Sequence, residues 1–220
     1  WDITTNAKPE DIQKLFTETF YENDFGTVGV VTEASDPRLK IIEITPYRIE
    51  GAYSNARHPD EVRFSDTLAE DLKRRDFTIN AIAYDPHGGE LVDEHDGRAH
   101  LAKRLLMTVG EPEQLFGEDA LRMLRAIRLS AELDFTIDAK TAAAIAGTAS
   151  LLEKISRERV RDEFLRILSS QRPMQALYVA EKVGILKYVI PELVSAIGVE
   201  QNQAHSFDVF EHLMRSLQHA

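Results

Sequence analysis

The sequence predicts an α+β chain, with a mixed head over residues 1 to about 100 and a helical remainder. Two observations carry this. Before residue 100, short β-branched runs such as Thr27–Thr32 and Leu39–Thr45 stand between turn signals, whereas from about Ala99 apolar residues recur at helical spacing. Charge divides at the same place. Residues 1–100 carry 11 Lys and Arg against 21 Asp and Glu, a net of −10, and residues 101–220 carry 15 against 16, a net of −1.

Taken in order, Lys8 to Tyr21 reads as a helix, with Pro9 and Glu10 in its first turn and Ile12, Leu15, Phe16 and Phe20 at helical spacing. Thr27–Thr32 and Leu39–Thr45 read as strands joined through a Ser35-Asp36-Pro37 turn. Residues 51–66 lack a sustained period and read as a mobile loop. Thr67–Arg75 reads as a short helix with a Thr67 cap and an acidic first turn. Asn80–Tyr84 is strand-like, and Pro86-His87-Gly88-Gly89 makes a turn. In the helical part, Ala120, Leu121, Leu124, Ile127 and Ala131 form one apolar stripe. Ala139–Gly147, Ile155–Leu168, Met174–Val183 and Phe207–Leu217 are further helical segments.

Composition sets limits on function. With 43% hydrophobic and 29% charged residues, the chain has an ordinary globular makeup rather than that of a disordered or fibrous protein. No stretch reaches the roughly 20 apolar residues of a membrane helix. There is no cysteine, which excludes disulfides and thiolate chemistry and fits a reducing cytoplasm. A net charge of −11 argues against a general nucleic-acid binder. Yet Lys154, Arg157, Arg159, Arg161, Arg166 and Arg172 make a local basic stripe that could face RNA. The chain opens without a methionine and stops inside an amphipathic run, so it is expected to be a fragment.

Three segments carry chemistry. Asp2, beside apolar residues at a strand edge, suits a metal ligand or a solvated acid. Glu43 lies in a strand between Ile42 and Ile44, sharing a face with Ile41. A carboxylate on an apolar face needs a partner or a metal, and a salt bridge would also serve. Arg74-Arg75-Asp76-Phe77-Thr78-Ile79-Asn80 crowds two guanidinium forks, an acid, a hydroxyl and an amide where helix gives way to strand. The forks suit phosphate oxygens, or simply the last turn of a helix. On one helix, Glu118, Arg122 and Arg125 would form a stripe with Asp119 one turn from Arg122. That stripe could face a base edge or solvent.

The strings RRDFTINAIAYD (Arg74–Asp85) and EDALRMLRAIR (Glu118–Arg128) resemble those of the class II tRNA nucleotidyltransferase/poly(A) polymerase family. The match continues in collinear order. Asp2-Ile3-Thr4-Thr5 resembles the end of the family's Asp-x-Asp metal motif. Phe25-Gly26-Thr27-Val28 resembles the approach to its second strand, and Glu43-Ile44-Thr45 with Arg48 and Gly51-Ala52-Tyr53 the strand of its third carboxylate. Glu158-Arg159-Val160-Arg161-Asp162-Glu163 resembles a later helical motif. The family's Asp-Gly-Arg-Arg-Pro turn reads Ser54-Asn55-Ala56-Arg57-His58-Pro59 here.

The resemblance implies a polymerase-β-like nucleotidyltransferase palm head over residues 1–100. A helical neck with a nucleotide-selecting motif would follow over 101–155, and a helical body over 156–220. It implies that Asp2 and Glu43 are catalytic metal ligands on neighbouring strands, with Mg²⁺ as cofactor. A partner Asp and a glycine-rich triphosphate turn would lie upstream. It implies that Arg74, Arg75, Asp76 and Asn80 hold ribose and triphosphate. Glu118, Asp119, Arg122 and Arg125 would select the base without a nucleic-acid template. The implied reaction adds CCA to a tRNA 3′ end from CTP and ATP, releasing pyrophosphate. Poly(A) polymerase, A-adding or CC-adding activities and an inactive RNA-binding module are the alternatives. The 51–66 loop leans against CC-adding.

The histidines divide. His95-Asp96 reads as part of a polar turn. His205 and His212 resemble the opening of an HD-type helical domain, but the doublet that would complete a metal site is not in the chain, so no metal is assigned there and a phosphohydrolase reading loses its support.

Overall fold

The computed structural model describes residues 2–21, 26–51, 62–202 and 206–219. They divide into two compact units, one up to residue 75 and the other from residue 76. The architecture is α+β. The sequence changes character near Ala99, but the packing divides earlier, because residues 76–107 share a core with the helices that follow.

The first unit is built on a four-stranded sheet. β1 (Asp2–Thr5) is followed by α1 (Pro9–Leu15), β2 (Thr19–Tyr21), β3 (Val28–Val31) and β4 (Ile41–Pro46), in the sheet order β1-β4-β3-β2. β1 runs parallel to β4, and the other pairs are antiparallel. Successive strand residues point to opposite faces. One face therefore holds Val28, Val30 and Ile44, which close with Ile12 of α1 into a small apolar core. Burial of side chains of this size contributes about 1.5–3 kcal/mol each. The other face holds Asp2, Glu43, Gly29 and Phe20.

Here the expected helix over Lys8–Tyr21 is corrected. α1 stops at Leu15, Phe16 turns extended, and Thr19–Tyr21 becomes the edge strand β2. Leu15 is 76% exposed and Phe16 is 42% exposed, so the apolar spacing that suggested a longer helix has no core to bury against. Strand pairing with β3 outweighs local periodicity. After β4 come β5 (Arg48–Glu50), β6 (Val62–Phe64), which pairs antiparallel with β5, and α2 (Leu68–Lys73). Val62–Phe64 is thus strand where a loop was expected, and residues 52–61 of that loop lie outside the described residues.

The second unit begins with a turn of 3₁₀ helix, Thr78–Asn80, and a hairpin of β7 (Ala83–Asp85) and β8 (Glu90–Val92). The expected strand Asn80–Tyr84 therefore starts three residues later. There follow α3 (Gly97–Ala102), β9 (Leu105–Leu106), α4 (Pro112–Glu118), α5 (Leu121–Leu133), β10 (Thr136–Ile137) and α6 (Ala139–Thr148). Then come α7 (Arg157–Leu168), α8 (Pro173–Lys182), α9 (Leu186–Val189), α10 (Pro191–Val194) and α11 (Val209–Gln218). β10 pairs in parallel with β9, and these two short strands interrupt the helical part among the described residues.

Several helix starts have a chemical reason. Pro stands in the first turn of α4, α8 and α10, where its missing N–H costs nothing. Asp138 caps α6 by accepting from the Lys140 and Thr141 N–H groups, and Asp208 caps α11 through Glu211. α5 ends at Asp134 in the left-handed conformation, φ 59°. Its apolar stripe of Leu121, Met123, Leu124, Ala126, Ile127 and Ala131 is buried and packs with Phe77, Leu106 and Phe116 in one core. No helix among the described residues is long and apolar enough to cross a membrane.

Candidate active site

In the first unit, register decides the geometry. Asp2 of β1 stands directly opposite Glu43 of β4. Paired residues point to the same face, so both carboxylates leave one side of the sheet on adjacent strands, about 4.8 Å apart in strand spacing. Glu43 does not sit on a buried apolar face as its sequence context suggested. Both it and Asp2 are exposed, and Ile41, on the same face, is 50% exposed. Burial therefore demands no partner for Glu43. What marks the pair is juxtaposition.

Beside Asp2 lies a cationic cluster held by an acid that the sequence reading did not single out. Asp71 of α2 is fully buried. It accepts from Arg74 Nε at 2.9 Å and Nη2 at 2.5 Å, from Arg75 Nη2 at 3.1 Å, and from the Arg48 N–H at 3.4 Å. Arg75 reaches onward with Nη1 to Asp2 at 3.2 Å. Its Nε is buried with no hydrogen-bond partner among the described residues. Burial lowers the Arg74 pKa from its usual value and the Arg48 charge adds to this, against the pull of Asp71. Burial also works against the Arg75 cation, but Asp71 and Asp2 outweigh it and raise the pKa. The only signal for Asp71 in the sequence was an acid in the first turn of a helix ending in two arginines.

The oxygen donors of Asp2 and Glu43 are the hard ligands that Mg²⁺ takes. No group of three or more acid or histidine side chains that could hold a metal occurs among the described residues. Among the described residues, Asp2 and Glu43 thus stand as a pair of oxygen donors rather than as part of a closed cage.

In the second unit, the remaining predicted residues form two networks. Asp76 is 9% exposed and accepts from Arg125 at 2.8 and 2.6 Å, from Asn80 Nδ2 at 3.1 Å and from the Phe77 N–H at 2.8 Å. Burial alone would raise the Asp76 pKa, but Arg125, Asn80 and Phe77 together hold it below the usual carboxylate range. Asp76, Asn80 and Arg125 are therefore one structural unit, with Arg74 and Arg75 in a separate cluster.

The second network corrects the single-helix reading of Glu118–Arg128. α4 ends at Glu118, Asp119 is extended at φ −140°, and α5 starts at Leu121. Glu118 still pairs with Arg122 at 2.9 Å across the break. Asp119 instead accepts from the Leu121 N–H at 3.0 Å and from Arg159 Nη2 at 2.9 Å. Arg159, expected on an outward basic stripe, turns from α7 to Asp119, and its Nη1 is buried without a partner among the described residues. Its neighbours Arg161, Arg166 and Arg172 remain largely exposed, although each has an acidic partner. Arg161 pairs with Asp162, and Arg172 with Asp134. Glu163, 5% exposed, locks α7 to α5 through Arg128 Nε at 2.5 Å.

Among the histidines, His100 Nδ1 meets Thr78 Oγ1 at 2.9 Å. Asp93 closes the His95-Asp96 turn by accepting from the Gly97 and Arg98 N–H groups at 2.7 and 2.9 Å. His205 lies outside the described residues.

Comparison with known proteins identifies relatives of the chain. The family model described as "Poly A polymerase head domain" matches residues 1–107, and that described as "Probable RNA and SrmB- binding site of polymerase A" matches residues 134–197. The CCA-adding enzyme of Levilactobacillus brevis is 43% identical over 188 residues, covering 85% of this chain and 46% of that protein. That of Enterococcus faecalis is 47% identical over 168 residues, covering 76% of this chain and 40% of the relative. The chain thus spans less than half the length of the curated relatives it matches. The crystal structure of the Bacillus stearothermophilus CCA-adding enzyme in complex with CTP superposes with a TM-score of 0.76 at 39% identity, covering 86% of this chain and 44% of that one. With a palm-like head, a helical remainder and these motifs in order, the chain belongs to the class II tRNA nucleotidyltransferase/poly(A) polymerase family.

Proposed function

We propose that this chain carries the catalytic head and nucleotide-selecting helices of an RNA nucleotidyltransferase acting in the cytoplasm. It would add CCA to the 3′ end of tRNA, taking CTP and ATP and releasing pyrophosphate. The observation that carries the reading is the pair Asp2 and Glu43, opposite each other on one sheet face beside Arg75. The relatives named CCA-adding enzymes and the CTP complex of one of them support the choice of reaction.

Asp2 and Glu43 would hold Mg²⁺, which when bound neutralises charge on the phosphoryl oxygens and draws the attacking hydroxyl toward its ionised form. The chain's own residues do the rest. Arg74 and Arg75, oriented by Asp71, present donor forks to the triphosphate and take up the charge of the departing pyrophosphate. Asp76 and Arg125 brace each other, so that Asn80, exposed at the end of its 3₁₀ turn, is held in place for the ribose. Asp119 and Arg122 present acceptor and donor atoms to a base edge. C and A offer an amino donor and a ring acceptor there, and U and G offer the reverse.

The test is incubation of the full-length enzyme with Mg²⁺ and tRNA transcripts ending before CCA, after C and after CC, each NTP supplied alone. The expected pattern is C, C and A in turn. Extension of any RNA by repeated A, or failure with every transcript, would overturn the assignment.

A further inference from the structure

The face that carries Asp2 and Glu43 continues beyond them. Gly29 of β3 is the register partner of Glu43, and Phe20 of β2 is the register partner of Gly29. Asp2, Glu43, Gly29 and Phe20 therefore form one row straight across the sheet on one face. The Phe20 ring folds back over the glycine. A Cβ at Gly29 would stand 2.5 Å from the ring's Cζ and 2.8 Å from both Cε atoms, so the ring occupies the place of the missing side chain. The ring is not spent on a core. Phe20 lies on the face opposite Ile12, Val28, Val30 and Ile44, belongs to no buried cluster, and is 37% exposed.

The order along the row has a chemical meaning. Arg75 bonds Asp2 on β1, one edge strand of the sheet, whereas Phe20 belongs to β2, the opposite edge strand. In phosphoryl transfer the attacking and leaving oxygens lie roughly in line on opposite sides of phosphorus. With the carboxylates in the middle and the leaving pyrophosphate at the arginines, the attacking hydroxyl comes from the Phe20 side. The nucleotide that bears this hydroxyl also bears a base, and the surface beside Glu43, about one strand spacing away, is an aromatic ring.

We infer that Phe20, seated on Gly29, is the stacking platform for the 3′-terminal base of the acceptor RNA, and so positions its 3′ hydroxyl at Asp2 and Glu43. This rests on the nucleotidyltransferase reading. Stacking is tolerant of sequence, because every base has a π-face. That tolerance suits a site whose terminal base changes after each addition.

The experiment uses the full-length enzyme and a tRNA transcript lacking CCA, with steady-state kinetics in tRNA and in CTP separately. A second transcript carries 2-aminopurine as its 3′-terminal nucleotide, whose fluorescence is quenched by stacking. Phe20→Leu keeps apolar bulk over Gly29 but removes the stacking face. It should raise the KM for tRNA by about ten- to a hundredfold and relieve the quench, leaving the KM for CTP unchanged. Phe20→Trp should restore both. Gly29→Ala, which pushes the ring from its seat, should behave like Phe20→Leu. A Leu variant with wild-type KM for tRNA would reduce the ring to a filler and overturn the inference. So would a rise confined to the KM for CTP. If the wild-type enzyme extends no RNA, the functional reading fails on that result alone, and the 2-aminopurine signal still decides the platform. A quench lost in Phe20→Leu keeps it, and a quench indifferent to residue 20 ends it.

Discussion

Asp71→Asn would test whether the arginine cluster depends on one buried acid. The carboxylate is fully buried and receives three guanidinium N–H groups, a backbone N–H and the Thr4 hydroxyl at 3.5 Å. Asparagine keeps the shape but removes the charge and turns one acceptor into a donor that faces the same donors. Removing one partner of a buried ion pair costs about 3–5 kcal/mol. Two features reduce this. Arg75 retains Asp2, and the side chains of Arg74 and Arg75 are 14% and 22% exposed, so water solvates part of the orphaned charge. The expected loss is about 2–4 kcal/mol. With a urea m-value of about 1–3 kcal/mol/M, the midpoint should fall by roughly 1–2 M. Far-UV circular dichroism follows the transition. Below the transition, the KM for CTP should rise about tenfold as both forks lose their orientation. A midpoint within 0.3 M of wild type, together with an unchanged KM, would refute the anchoring role.

Asp2→Ala in the full-length enzyme should abolish nucleotide incorporation while shifting thermal stability little, because the side chain is 65% exposed; a large loss of stability would mean that the residue is structural. Asp119→Ala and Arg122→Ala should relax the preference for C and A over U and G by about ten- to a hundredfold, measured with each NTP alone. Selectivity unchanged in both would return them to structural roles. Arg159→Ala frees the Asp119 carboxylate from its guanidinium partner and should disturb nucleotide selectivity, contrary to an RNA-facing role, which would weaken tRNA binding equally for all four NTPs. For Asp76 the pKa is lowered on folding, so its contribution is full above the unfolded value of about 3.9 and is lost as pH falls through the folded value. The stability difference between wild type and Asp76→Asn, read from urea midpoints, should therefore be largest above about pH 5 and shrink as pH drops below it. A difference that stays constant with pH would rule this out.

Much of the candidate site was legible because its residues act through type and spacing. The forks of Arg74 and Arg75, the acids Asp2 and Glu43, and the Glu118–Arg128 string are short-range features, and the resemblance of these strings supplied roles that composition could not. The helical segments after Ala99 were visible because an amphipathic stripe repeats locally, as with Leu121, Leu124 and Ile127 on α5. The partition of these residues was not visible. Asp119 was assigned to Arg122 by helical spacing, yet the chain breaks between α4 and α5, and its guanidinium partner is Arg159, 40 residues away. Asp71 looked like an ordinary first-turn acid.

The sequence by itself determined the α+β class, the strand and helix character of most segments and the chemical types available to a nucleotidyltransferase, because these follow from local periodicity, charge and motif order. Only the tertiary structure decided which groups meet. Strand register set Asp2 opposite Glu43 and Phe20 on Gly29, and a one-residue slip would have sent those side chains to the other face. The same pairing drew Thr19–Tyr21 out of the expected helix, since an edge strand satisfies its backbone by hydrogen bonds to β3 that no nearest-neighbour pattern records.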